Sequence, residues 1–425
     1  MNNAWISLLV FVASYILFVV FPNRRSRVAC GGALLLVLLG VLPWHEALFE
    51  KVNWNVMGLF IGTLVLAELF MLSRVPAVMA EWLVNRTSTA RAAMIVLCAL
   101  AGFISMFVEN VAVVLLVAPV ALSLAQKLNR NPVPLLVGIA VSSNLQGTAT
   151  MIGDPPSMIL AGYMKMSFLD FFFYQGKPGI FFAVQIGALA SFLVLAWLYR
   201  SYSQSIEIVP VEKARSWAPC ILLALLVLGL SVATVPDPDF KWFAGAYTMA
   251  LALAGLLWLR FRARWHPVRA LFRDLDWDTT FFLIGVFILV GALSDSGWLN
   301  RLADGLSAGV HDRLPLAFVV IVVLSVVVSG FVDNVPFLLA MIPVAQKVAD
   351  HMGAPVPLLM FALLIGACLG GNLTPIGASA NVVTLGILKK QGHVVSFGKF
   401  AAIGGPFTLA AVLASSLFVW WIWAP

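Results

Sequence analysis

Two short stretches place acids where lipid-soluble side chains would be expected: "FVENVAVVLLVAPV" at 107–120 and "FVDNVPFLLAMIPV" at 331–344. Glu109 and Asp333 each sit beside an asparagine, Asn110 and Asn334, and each is followed by an apolar run ending in Pro-Val. Asp154 in "GTATMIGDPP" and Glu68 in "GTLVLAELFML" are the other acids well inside apolar segments. A carboxylate at the centre of a bilayer costs about 2.5–3.5 kcal/mol on insertion scales, so such residues are functional candidates by default. The chemistry open to them is proton exchange or cation binding. Glu109, Asp154 and Asp333 are the candidates for proton coupling; Glu68, close to Arg74, reads as reaching an interface.

Neutral donors and acceptors accompany the acids. Asn110, Thr148, Thr150, Asn334, Asn372, Thr374, Ser379 and Asn381 are the candidate solute-binding residues. No lysine or arginine is expected in the chamber they would line. A site of that kind suits a cation, a proton or a neutral polyhydroxy solute, and disfavours a multiply charged anion unless cations travel with it. All five histidines fall in polar connections, so carboxylates rather than imidazoles must carry any protons. The four cysteines show no CxxC and no nearby histidine, which excludes a disulfide framework and a zinc site. Cys368 precedes one of the polar motifs and reads as packing. Nucleophile, metalloprotease and phosphate-loop motifs are missing, so no enzyme and no cofactor is expected.

The elements that must position these residues are membrane helices. Of 425 residues 62% are apolar and 11% charged, with mean hydropathy +1.00. A soluble chain of that composition could not cover its surface with water-compatible groups. Apolar stretches of the length needed to cross roughly 30 Å of hydrocarbon recur throughout. Ten crossings are expected: 4–22, 28–43, 54–73, 133–164, 178–199, 217–235, 243–260, 278–294, 357–388 and 400–423. Segments 91–127 and 314–348 enter and return, as re-entrant hairpins tipped by "FVENV" and "FVDNV".

The net charge of +7 is a topology signal, not a nucleic-acid footprint. Basic runs such as "RRSR" at 24–27, "RFRARWHPVRALFR" at 260–273 and "KK" at 389–390 collect on one face. By the positive-inside rule that face is cytoplasmic and both termini lie outside. The N-terminus lacks the basic region of a cleavable signal.

The halves repeat. Asn110 and Asn334, Pro119 and Pro343, Gly153 and Gly377 are each 224 residues apart, and "QGTATMIGDPPSMI" aligns without gaps on "GGNLTPIGASANVV". Residues 1–200 form the first repeat, 201–216 a polar cytoplasmic linker, and 217–425 the second. Each repeat has five crossings, so the second is inverted, the plan of many secondary transporters. Glycines, β-branched residues and prolines make the two aligned motifs breaks within the crossing segments 133–164 and 357–388. Irregular backbone at membrane depth is tolerated where it lines a polar cavity. The expected fold is an all-α polytopic membrane protein with about ten transmembrane helices, two re-entrant hairpins, and broken helices at the midplane.

"GTATMIGDPPSM" and "GGNLTPIGASANVV", with "FVENV" and "FVDNV" before them, resemble the ion transporter superfamily, in particular its ArsB/NhaD-type permeases. Divalent anion/sodium symporters of the same superfamily carry Ser-Asn-Thr at both tips. Here Glu109-Asn110-Val111 and Asp333-Asn334-Val335 stand instead, which favours proton coupling over sodium sites. The resemblance implies arsenite and antimonite efflux across the cell (inner) membrane in exchange for protons. The alternatives are a sodium/proton antiporter or a transporter of another anion, and, from a different class, a channel. A soluble arsenite-stimulated ATPase docked on the basic loop 260–273 is a further implied partner.

Overall fold

The computed structural model describes residues 3–21, 24–205, 213–311 and 313–425. The middle of the linker expected at 201–216 lies outside them. The fold is all-helical, about 76% helix, and among the described residues eight helices are long and apolar enough to cross a membrane. The only sheet among the described residues is a ribbon of Phe173–Tyr174 against Lys177–Pro178.

Both hairpins form. The first joins Ala90–Ser105 to Asn110–Lys127, and the second joins Leu314–Ser329 to Asn334–His351. Arms of 16 and 18 residues are about 24 and 27 Å long, more than half of the roughly 30 Å thickness of a hydrocarbon core. Both breaks form as well. Val133–Gly147 stops at the glycine-threonine run and Pro155–Met164 resumes after it, while Val356–Gly370 stops and Ser379–Lys390 resumes. The first restart is capped: Asp154 accepts from the Ser157 N–H at 3.2 Å, with Pro155 and Pro156 in the opening turn. The short helices Val75–Val84, Val268–Asp274 and Trp298–Gly309 were not anticipated from sequence, since each is too short to span.

The halves are built alike down to single hydrogen bonds. The Thr150 hydroxyl donates to the Met106 carbonyl and the Thr374 hydroxyl to the Gly330 carbonyl, both pairs tying a break to its own hairpin tip. Helix packing exchanges between repeats: Trp54–Leu72 lies on Phe243–Trp258, and its counterpart Trp277–Asp295 lies on Arg25–Leu38. Matching caps start the paired helices, Asn53 on the Val56 N–H and Asp276 on the Thr279 N–H. Ile180–Leu198 and Phe397–Trp423 pack on each other across the same two-fold relation.

Near the ends of the described chain Trp298 donates to the Ala4 carbonyl and Lys177 to the Ile422 carbonyl, and elsewhere Lys165 pairs with Asp239 at 2.7 Å. Asp237 folds the chain into Phe243–Trp258 by accepting from the N–H groups of Lys241, Trp242 and Phe243 at 2.7–2.9 Å. Burial pushes this carboxyl up, but the backbone donors outweigh it and hold its pKa below the ordinary 3.8. The stability it contributes is therefore present above the ordinary Asp range and lost as pH falls through the depressed value. Asp237→Ala should lower stability by about 1 kcal/mol at about pH 6, the usual worth of a helix cap. Thermal unfolding in detergent should show the gap between wild type and variant closing in acid; a gap that persists there would mean the carboxylate charge is immaterial.

Candidate transport site

The two hairpin tips and the two breaks converge on a cavity of about 50 Å³, lined by residues of both repeats. That volume holds a few waters. Glu109, Asn110, Asp333 and Asn334 come from the tips, Asp154 and Ser379 from the restarted helices, and Asn144 and Cys368 from the helices before the breaks. A wider opening of about 300 Å³ adjoins it and shares Arg25, Phe282, Asp333, Ala378 and Ser379 with it.

Arg25 corrects the expectation that no cationic side chain reaches the chamber. It opens the helix Arg25–Leu38, and its guanidinium turns inward between cavity and opening. Nη1 donates to Asp333 Oδ2 at 2.6 Å and to Ser379 Oγ at 3.1 Å. Nη2 donates to Thr279 Oγ1 at 2.7 Å, and Nε to Asp278 Oδ2 at 3.2 Å. The planar fork of arginine suits this division among several acceptors. The arginine belongs to the first repeat while Asp278, Thr279, Asp333 and Ser379 belong to the second. They meet because Arg25–Leu38 packs on Trp277–Asp295. In the sequence Arg25 reads as one of three basic residues at a helix end, with nothing to mark it as different.

The three carboxylates differ in their surroundings. Asp333 is engaged twice, by Arg25 and by the N–H of Val335 at 3.1 Å. Asp154 is buried; one oxygen caps its helix and Oδ2 has no hydrogen-bond partner. Glu109 makes no cap bond to the helix it precedes and lines the cavity. Cys368 stands beside Asp154 and Thr148. Glu68 is outside the cavity lining, on the helix Trp54–Leu72.

The neutral candidates separate into two groups. Asn110, Asn334 and Ser379 line the cavity. Thr148, Thr150, Asn372, Thr374 and Asn381 do not; they are buried behind it and bond to backbone carbonyls of the breaks, the hairpin tips and the neighbouring helix. Asn381 donates to the carbonyls of Gly371 and Thr374 at 2.9 and 3.0 Å, Asn372 to that of Val141 at 3.1 Å. Thr148 returns a bond to the Asn144 carbonyl at 3.3 Å. The physical reason is that each break frees carbonyls that need donors at membrane depth. Asn144, not anticipated, links the two breaks: its amide donates to Asn372 Oδ1 at 2.8 Å and Asn381 Oδ1 at 3.1 Å. Its signal in the sequence was the polar triplet Ser142-Ser143-Asn144 inside an apolar helix.

Comparison with known proteins agrees with this architecture. The family described as "CitMHS: Citrate transporter" matches residues 15–366 and 317–425. An uncharacterized transporter of Mycobacterium tuberculosis is 29% identical over 434 residues, spanning 98% of this chain and 97% of its own. The human P protein is 26% identical over 95% of this chain and 58% of its own length. Among solved structures, the Alcanivorax borkumensis YdaH transporter superposes with a TM-score of 0.61 at 15% identity, covering 100% of this chain and 99% of that one. Neisseria gonorrhoeae MtrF gives 0.55 at 12%, covering 91% and 84%. These two likenesses concern the fold. The superfamily resemblance thus resolves to this family, and none of these likenesses points specifically to the arsenite permeases. A cavity shared by two inverted repeats, on a chain matched by that family along nearly its whole length, makes this protein a multi-pass membrane transporter of the CitMHS citrate transporter family, within the ion transporter superfamily.

Proposed function

We propose that the chain is a proton-coupled secondary transporter of a small carboxylate-bearing anion, with Arg25 as the anion's partner. The observation that carries this is the position of Arg25, between cavity and opening, neutralised by carboxylates of the protein itself. An incoming carboxylate can take the place of Asp333 on the guanidinium fork. The displaced Asp333, beside Asp278, Glu109 and Asp154, is then best kept neutral by a proton, because an unpaired charge in such a site is costly. Anion and proton therefore enter the site together, and binding strengthens as pH falls. They would move in the same direction, not in exchange. Citrate, the cargo for which the matched family is named, has the required chemistry.

Arsenite or antimonite efflux in exchange for protons is the second reading. It is favoured by the fact that Arg25 is already held by four hydrogen bonds within the protein, leaving Asn110, Asn144 and Asn334 as a neutral wall of small volume. A neutral trihydroxy solute would then bind through hydrogen bonds of about 0.5–1.5 kcal/mol each. Proteoliposomes with an imposed pH gradient, tested with labelled citrate, arsenite and sodium in turn, separate the readings. Citrate uptake driven by an inward proton gradient supports the first. Arsenite movement opposite to protons, with no citrate flux, replaces it with the second, and sodium–proton exchange alone would displace both. Solute flux that preloaded solute fails to accelerate would mean a channel.

The basic face is assigned to the cytoplasm and both termini to the outside, in the cell membrane, on the charge distribution. Cysteines replacing Arg273 and Gln391 should react with impermeant reagents only from the cytoplasm, and those replacing Gln175 and Val235 only from outside. Labelling of all four from one side would end the inverted arrangement.

A further inference from the structure

An apolar cleft of about 570 Å³ lies against the first hairpin, outside the transport cavity. Phe70 and Val75 wall it on one side, Phe103 and Phe107 of the hairpin on another, and Leu223 and Leu228 of the helix Ala218–Ser231 on the third. Among the described residues that line it, all but Trp217 and Cys220 are purely apolar. Phe103 and Leu228 are 50% and 65% exposed, so the cleft opens sideways, toward lipid. The stretch from Trp217 to Leu228, at about 1.5 Å per residue, is roughly 16 Å long. That is about half of the roughly 30 Å hydrocarbon core, the depth of one leaflet.

The two ends of the cleft differ. At the Trp217 end the Arg215 N–H donates to the Ser73 carbonyl at 2.8 Å, which sets Arg215 beside Arg74, where Val75 and Trp217 begin the walls. The Arg215 guanidinium lies 5.5 Å from the ring centre of Trp265. Trp265 stands in the basic loop 260–273, whose Arg260, Arg262, Arg264 and Arg269 are exposed. Among the described residues of that loop only Arg273 pairs with a carboxylate, that of Asp274 at 3.6 Å. The far end is Phe107, which also walls the small space beside Glu109. A cationic mouth thus leads into a hydrocarbon slot that stops at the hairpin tip.

We infer that this cleft is a binding site for one anionic phospholipid of the leaflet at the basic face, with its headgroup on Arg215 and the neighbouring arginines and one acyl chain in the slot. Charge complementarity selects the headgroup: basic pockets beside membrane helices collect anionic lipids, and guanidinium–phosphate hydrogen bonds are charge-assisted. The depth selects the chain, because a slot one leaflet long matches what an acyl chain fills. A second copy of the protein in the same membrane would bring the same arginines to the same level, where like charges repel. The bound chain braces the hairpin tip that carries Glu109. Nothing in the inference depends on which solute is transported.

Cys220, half-buried in the cleft wall, reports whether the slot is filled. The full chain is placed in nanodiscs of phosphatidylcholine, or of phosphatidylcholine partly replaced by phosphatidylglycerol with the same acyl chains, and treated with N-ethylmaleimide. Peptide mass spectrometry reads the modification. Phosphatidylglycerol should slow modification of Cys220 several-fold and leave that of Cys30, equally half-buried but on the helix Arg25–Leu38, unchanged. The difference should shrink at high salt, which screens the headgroup contact. Arg215→Gln with Arg264→Gln should remove the dependence on headgroup. Ala224→Phe, which fills the slot, should slow Cys220 in both kinds of disc. Arg215 and Arg264 are exposed, so their variant keeps the test available if Ala224→Phe fails to fold. Equal Cys220 rates in the two discs for wild type would overturn the inference, as would undiminished protection in the double arginine variant. Protection that follows the number of protein copies per disc, and not phosphatidylglycerol, would assign the cleft to a second copy instead.

Discussion

Arg25→Gln is expected to weaken citrate binding about 10- to 100-fold, the equivalent of one charge-assisted hydrogen bond worth roughly 1.5–3 kcal/mol. Glutamine keeps a planar donor at that position but has neither the charge nor the fork that divides among Asp333, Ser379, Thr279 and Asp278. Loss of the charge also leaves Asp333 without its cation, which by itself destabilises the fold because a half-buried carboxylate loses its partner. The double variant Arg25→Gln with Asp333→Asn separates the two effects. It should recover thermal stability toward wild type and recover no citrate binding, measured by calorimetry on purified protein. Arg25→Lys, a point charge without the fork, should fall between. Unchanged citrate affinity in Arg25→Gln would remove the arginine from the site, and retained arsenite flux in that variant would favour the neutral-solute reading.

Gly153→Ala and Gly377→Ala should each cost about 3 kcal/mol or more, at the upper end of overpacking penalties. The Cβ of an alanine at 153 would collide with the Gly147 carbonyl oxygen and approach that of Ser105 to 2.8 Å. At 377 the same atom would stand 2.6 Å from the Gly371 carbonyl oxygen and 2.8 Å from that of Gly330. Every one of these neighbours is backbone, so no side chain can rotate away. What would be lost is the seat of each break on its hairpin tip, the contact that Thr150 and Thr374 secure with their hydroxyls. Thermal midpoints in detergent should fall sharply and monodisperse yield with them. Gly305→Ala is the control: nothing lies within 4 Å, and alanine is the better helix former by about 1 kcal/mol. A mild effect at 153 and 377, equal to that at 305, would mean that the tips and breaks are not locked together.

Much of this arrangement was written in the sequence. A helix must cover about 30 Å of hydrocarbon and satisfy its own backbone there, so span length and glycine-proline punctuation speak directly. Segments 91–127 and 314–348 read as hairpins, and 133–164 and 357–388 as broken crossings, on those grounds alone. The 224-residue repeat then fixed which tip belongs with which break, and Glu109, Asp154 and Asp333 followed as the acids with no reason to be in lipid.

Which polar groups face the cavity was settled only by tertiary packing. Thr150, Asn372, Thr374 and Asn381 looked the same in sequence as Asn110, Asn334 and Ser379, but backbone carbonyls claimed the first group and left the second exposed to the chamber. Arg25 shows the limit most plainly. Its partners Asp278 and Asp333 lie 253 and 308 residues away in the chain, in the other repeat. Composition could place it at a helix end on the basic face, and no local pattern could turn it inward. That turn depends on Arg25–Leu38 crossing onto Trp277–Asp295, an exchange of helices between repeats whose geometry comes from packing, because sequence spacing does not encode which distant faces meet.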